Sequence, residues 1–123
     1  FIGLSLYPYH LKNLGDCTIE DFCEMIKELV NLIGEDNIGI GSDLCLNWPD
    51  DVVMWMRNGK WTKNIDYGES KDKNPKWPKL PSWYKQPSDL NNFFYLMCEN
   101  NIPEKVSTKI IGQNWFNFMK NQF

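Results

Sequence analysis

Two short apolar runs, residues 1–7 and 38–43, stand on either side of one amphipathic stretch, and this alternation restricts the fold of the 123-residue chain more than any other feature. Strand, helix, strand within so short a span is a βαβ unit, whose crossover makes the two strands parallel. The first run, Phe1-Ile2-Gly3-Leu4-Ser5-Leu6-Tyr7, is closed by Pro8, and Tyr7-Pro8-Tyr9-His10 leaves it as a loop. Thr18 with Asp21 three residues later has the capping-box pattern of a helix start. Phe22, Ile26, Leu29, Val30 and Ile33 then recur at helical spacing until Gly34 stops the run. After the turn Gly34-Glu35-Asp36-Asn37 a second strand begins at Ile38 and is expected to reach Asp43. A parallel sheet needs cover on both faces, so these two strands call for further strands that the chain does not contain.

The rest of the chain is helical except for one long connection. Asn47 and Pro49 can open a short helix through Val52, Val53 and Met56, with Asn58-Gly59 as its stop. From Lys60 to Gln86 the residues are rich in Lys, Pro and Trp without periodicity, and residues 47–87 are expected to form a long, ordered insertion over a barrel mouth. Ser88 is expected to cap the next helix, whose apolar face is Leu90, Phe93, Phe94 and Met97. Pro103 and Glu104 begin another carrying Val106, Ile110 and Ile111, and Gly112 is expected to interrupt it. Asn114 would then cap a last segment with Trp115, Phe118 and Met119 facing inward.

Composition narrows the function classes. A net charge of −3 leaves no broad basic face, so nucleic acid is not an expected partner although tryptophans interleave the basic residues between Lys60 and Lys85. No run approaches the length of a membrane span, and no signal-type leader is visible, so a soluble protein is expected and a cytoplasmic location favoured. The four cysteines, Cys17, Cys23, Cys45 and Cys98, show neither CxxC pairing nor regular spacing, which indicates neither a zinc knuckle nor a disulfide framework. Cys23 and Cys98 fall among apolar helix positions and read as small core residues. With no initiating Met, the chain opens directly inside a strand, which reads as the carboxyl-terminal part of a longer protein.

The candidate chemistry lies at the strand ends. In Gly39-Ile40-Gly41-Ser42-Asp43 an apolar run ends on a carboxylate, where α/β barrels place functional groups, and the glycines admit a close neighbour, either a strand or a ligand. Asp43 can equally serve only to hydrogen-bond the following loop. His10, the single histidine, comes a few residues after the first strand on the same rim, and Tyr7 at that strand end offers a phenol. One histidine with scattered carboxylates gives no metal-ligand spacing, and no GxSxG elbow, phosphate loop or dinucleotide fingerprint is present.

Two stretches carry a family resemblance. The run from Thr18-Ile-Glu-Asp-Phe through Asn31-Leu-Ile-Gly-Glu-Asp-Asn-Ile-Gly-Ile-Gly-Ser-Asp43 resembles the last βαβ portion of the membrane (renal) dipeptidase family, and Lys109-Ile-Ile-Gly-Gln-Asn114-Trp-Phe resembles that family's terminal glycine-x-asparagine helix. The resemblance implies an α/β fold, the C-terminal portion of a (β/α)8 TIM barrel, with its last two strands and their helices in this chain. It also implies a metal-dependent hydrolase of dipeptides with a two-zinc centre whose ligands lie on strands outside these residues, so no metal ligand is assigned here. Asp43 would be catalytic, serving proton transfer and substrate positioning, with Tyr7 and His10 near the substrate, and the whole protein would be a homodimer. Many members continue with Phe-Asp-Gly after the aspartate, whereas this chain has Leu44-Cys45-Leu46 and a long aromatic insertion, similar to a bacterial subgroup with a different rim. Two other functions stay open: a metal-dependent amidohydrolase acting on an ester, lactone or non-peptide amide, and a binding module in which Trp48, Trp55, Trp61, Trp77 and Trp83 line a peptide or sugar groove.

Overall fold

A computed structural model describes residues 1–47, 49–52 and 77–122. Strand β1 (Ile2–Ser5), helix α1 (Ile19–Ile33) and strand β2 (Ile38–Gly41) form the expected unit, and the strands pair in parallel with Ile2 opposite Ile38 and Ser5 opposite Gly41. Both strands are shorter than the apolar runs. Beyond Ser5, the Tyr7 N–H is taken by the Ser5 hydroxyl at 3.1 Å, and Pro8, which has no N–H, opens a tight 3-10 turn, Pro8–His10. β2 stops at Gly41, so Asp43 lies two residues past the strand rather than on its end.

Helix α1 starts as its sequence dictates: Thr18 is extended and its hydroxyl accepts the Asp21 N–H at 3.1 Å. The reciprocal half of the box is not made, because the Asp21 carboxylate pairs with Lys12 at 2.5 Å. Gly34 ends the helix at φ 84°, a left-handed conformation that glycine adopts without a Cβ penalty. The helix buries Phe22, Cys23 and Ile26 against Leu4, Leu6 and Ile38 of the strand segments and Phe93 and Met97 of helix α2 (Asp89–Glu99).

Helix α2 has no Ser88 cap; Ser88 itself is helical, and the Asp89 carboxylate instead accepts the N–H groups of Lys85 and Gln86 at 2.8 and 3.1 Å. These bonds, the Lys85 one foremost, hold the Asp89 carboxyl below its ordinary pKa. Helix α3 (Glu104–Thr108) begins after Pro103 as expected. Gly112 does not break the chain's last helical run: a π turn over Lys109–Gln113 carries the helix into α4 (Asn114–Gln122). Asn114 is therefore not a cap. It sits mid-helix, 3% exposed, and its side-chain amide donates to the carbonyls of Glu35 at 2.7 Å and Ile38 at 2.8 Å. Trp115 turns inward, but Phe118 and Met119 are 39% and 51% exposed, contrary to the inward face expected for them.

The expected helix through Val53 and Met56 lies outside the described residues, as do Trp48, Trp55, Trp61 and most of the 47–87 insertion. Where the connection is described again, from residue 77, it joins the core. Trp83 stacks on Phe93 with ring centres 5.5 Å apart, meets Phe22 at 5.0 Å, and donates its indole N–H to the Cys17 carbonyl at 2.9 Å. The Trp83 indole is thus committed to core packing and a backbone bond, while its half-buried edge still reaches the surface.

Candidate functional site

The carboxyl end of β1 gathers three side chains. Ser5, half-buried, receives the Tyr7 N–H and lies 2.9 Å from Nδ1 of the exposed His10. The Pro8–His10 turn folds the chain back so that residues five apart meet, and the Tyr7 and His10 rings stand edge to face at 5.4 Å. Tyr9 adds a second phenol, its ring 5.7 Å from that of Tyr7. Two residues expected from sequence, Tyr7 and His10, are thus brought together. Ser5 joins them without having been expected; its one sequence signal is a hydroxyl in an otherwise apolar run.

The register places Gly41 beside Ser5, and from there Ser42 leads to Asp43. Asp43 is exposed with φ 48°, a left-handed conformation that aspartate tolerates better than most side chains. The next residue, Leu44, returns to pack against the core. The kink at Asp43 therefore sets its carboxylate off the strand, and no hydrogen bond links it to His10 among the described residues.

The two glycines of the motif part company: Gly41 lies against the backbone of Gly3 on β1, as a glycine admitting a neighbouring strand would, whereas Gly39 is taken by side chains. A Cβ at Gly39 would lie 2.5 Å from Nε1 of Trp115 and 3.0 Å from the Phe1 ring, and one at Gly3 would lie 3.1 Å from the same indole. Trp115 covers this glycine face and donates its N–H to the Ile40 carbonyl at 2.8 Å. Carbonyls two residues apart in a strand face the same edge, so Asn114 and Trp115, adjacent on α4, together satisfy one edge of β2 at Ile38 and Ile40.

A second charged cluster ties the π turn to the entrance of β2. Lys109, on the π turn, pairs with Glu35 at 2.5 Å and Asp36 at 2.6 Å, and these carboxylates, Asp36 foremost, hold its ammonium above the ordinary lysine pKa. Burial raises the thiols of Cys17 and Cys23, the latter to about 11. No group of three or more His, Cys, Asp or Glu among the described residues is arranged to hold a metal ion, so these residues do not fit a resident two-zinc centre. A cleft of about 380 Å³ beside Asp16, Lys79 and Trp83 includes none of the strand-end residues.

The architecture is α/β, with a parallel strand pair and helices packed on it. No protein-family profile matches the chain, and no curated protein matches its sequence. Among solved structures it is similar to the crystal structure of an amidohydrolase from Pseudomonas aeruginosa, with a TM-score of 0.74 and 29% identity over 94% of this chain. The fold of the chain is amidohydrolase-like. The chain spans about a third of that protein, 34% of its length.

Proposed function

We propose that this chain is the C-terminal portion of a metal-dependent hydrolase with a (β/α)8 barrel, that β1 and β2 are its last two strands, and that the whole protein hydrolyses dipeptides. The observation that carries the reading is the similarity to an amidohydrolase along 94% of the chain at 29% identity. A second observation supports the barrel: Phe1 and Ile2 of the strand region are 41% and 45% exposed, whereas parallel strands ordinarily lie buried on both faces. The whole protein is proposed to be a homodimer with two zinc ions held by residues outside this chain.

In this reading each residue of the rim has a task its geometry supports. Asp43, exposed on a kink past β2, takes up and returns a proton during amide hydrolysis. Tyr7 and His10 contact the substrate from the end of β1, where their rings pack against each other. One alternative is a sister metal-dependent amidohydrolase for an ester, lactone or non-peptide amide, served by the same rim.

The test is turnover of the full-length zinc-loaded protein on a panel of dipeptides, lactones, esters and simple amides. Dipeptides are expected to be the best substrates, and Asp43→Asn to lower kcat by about 100-fold or more. A lactone or ester preference would replace the dipeptidase reading by its alternative, and undiminished turnover by Asp43→Asn would remove the role given to that residue.

A further inference from the structure

Ser5 stands between two partners, and the bonding capacity of a hydroxyl determines what it can do to each. A serine hydroxyl has one hydrogen to donate and two lone pairs to accept with. The Tyr7 N–H, at 3.1 Å, is a donor only and takes one lone pair. Nδ1 of His10, at 2.9 Å, is the other partner. If Nδ1 carried the ring proton, it would take the second lone pair and leave the half-buried hydroxyl hydrogen with no acceptor among the described residues. If Nδ1 is bare, the hydroxyl donates to it and every group is satisfied, which is the lower-energy arrangement for a partly enclosed polar cluster.

We infer that Ser5 is a positioning residue that locks neutral His10 in the tautomer protonated at Nε2, so that the imidazole presents a fixed hydrogen-bond donor at the strand-end rim. The Tyr7 amide is the anchor of the device, because its N–H takes one of the two lone pairs and so fixes the directions left to the hydroxyl's hydrogen and its other lone pair. The Pro8–His10 turn brings the ring to that hydroxyl, and the edge-to-face contact with Tyr7 at 5.4 Å limits its rotation. Among the described residues the Nε2 side of the exposed ring has no protein partner, which leaves its N–H as the donor this device offers. The group it recognises is therefore an acceptor, a carbonyl or carboxylate oxygen rather than an amine. That last step rests on the proposed role of the rim; the tautomer does not.

The experiment measures the two separately. The full-length protein is labelled with ¹⁵N-histidine, and the His10 ring is assigned by its loss in His10→Gln. Two-bond ¹H–¹⁵N spectra of the neutral ring, recorded in alkaline buffer, are expected to show Nδ1 unprotonated and Nε2 protonated, without averaging. Ser5→Ala should release the ring to an averaged mixture of tautomers, and Ser5→Thr, which keeps the hydroxyl, should restore the single form. A wild-type ring protonated at Nδ1, or already averaged, overturns the inference even if the alanine variant does not fold, as does a single tautomer retained in Ser5→Ala. Ser5→Ala is also expected to raise KM by about 3- to 10-fold with little change in kcat, the effect of one modest hydrogen bond. If the tautomer behaves as stated while KM does not move, the device stands and the substrate-binding role of His10 falls.

Discussion

Asn114 joins a helix to the entrance of β2 through two bonds made by one side chain, and removing it should be felt throughout the domain. Its carboxamide has two N–H donors, and they go to the carbonyls of Glu35 at 2.7 Å and Ile38 at 2.8 Å from a residue 3% exposed. Asn114→Ala deletes both donors and leaves the buried Ile38 carbonyl and the part-buried Glu35 carbonyl without them. Each neutral bond contributes about 1 kcal/mol net, and an orphaned buried acceptor adds to the loss, so the substitution should cost about 2–4 kcal/mol. A loss of about 2 kcal/mol already changes the folding equilibrium roughly 30-fold. Asn114→Asp sharpens the test because it has almost the same shape. At neutral pH it sets a carboxylate against two carbonyl oxygens and should be worse than alanine; on acidification the carboxyl regains one O–H donor and the deficit should shrink. The assay is urea unfolding monitored by circular dichroism, with the slope compared between variants to confirm that only stability has changed. A cost below about 0.5 kcal/mol for Asn114→Ala, or an aspartate variant no worse than alanine at pH 7, would refute the bonding described for this residue.

Packing and burial set two further outcomes. Gly39→Ala places a methyl 2.5 Å from the Trp115 indole nitrogen and should destabilise by about 1–3 kcal/mol, while in the Trp115→Leu background its cost should fall; additive effects in that double-mutant cycle would show that the indole does not cover the glycine. The Cys23 thiol, fully buried and raised to about 11, should resist iodoacetamide at pH 8 in the folded protein while exposed Cys45 is alkylated, as read by peptide mass spectrometry. Because the folded value lies above the unfolded one, the contribution of protonated Cys23 to stability is complete below the ordinary thiol pKa of 9.0 and is lost as pH rises from there to about 11. Alkylation of Cys23 at the rate of Cys45 under native conditions would contradict its placement.

The first half of the fold was legible because its signals are local. Thr18 meets Asp21 within one helical turn, the apolar positions of α1 repeat on one face, and Gly34 supplies the left-handed stop; none of these needs a distant partner. The parallel pairing of β1 and β2 is a consequence of a crossover of this length between two apolar runs. Tyr7 and His10 were visible as strand-end residues for the same reason, since three residues of chain carry one to the other.

The features that sequence could not settle were decided by groups far along the chain. Asn114 looked like a helix cap because asparagine favours caps, but acceptors at Glu35 and Ile38, 79 and 76 residues away, gave its amide two bonds that a cap position does not offer. Gly39 looked like room for a strand or ligand and became the seat of Trp115. Ser5 gained its partner only when the Pro8–His10 turn folded His10 onto it. Short-range periodicity and capping chemistry therefore determined that this protein contains a parallel βαβ unit with Tyr7 and His10 just past its first strand. Only tertiary structure decided where the strands end, which side chains close one edge of β2 and how the histidine is held, because each of those outcomes depends on which buried donor finds an acceptor once the chain has folded.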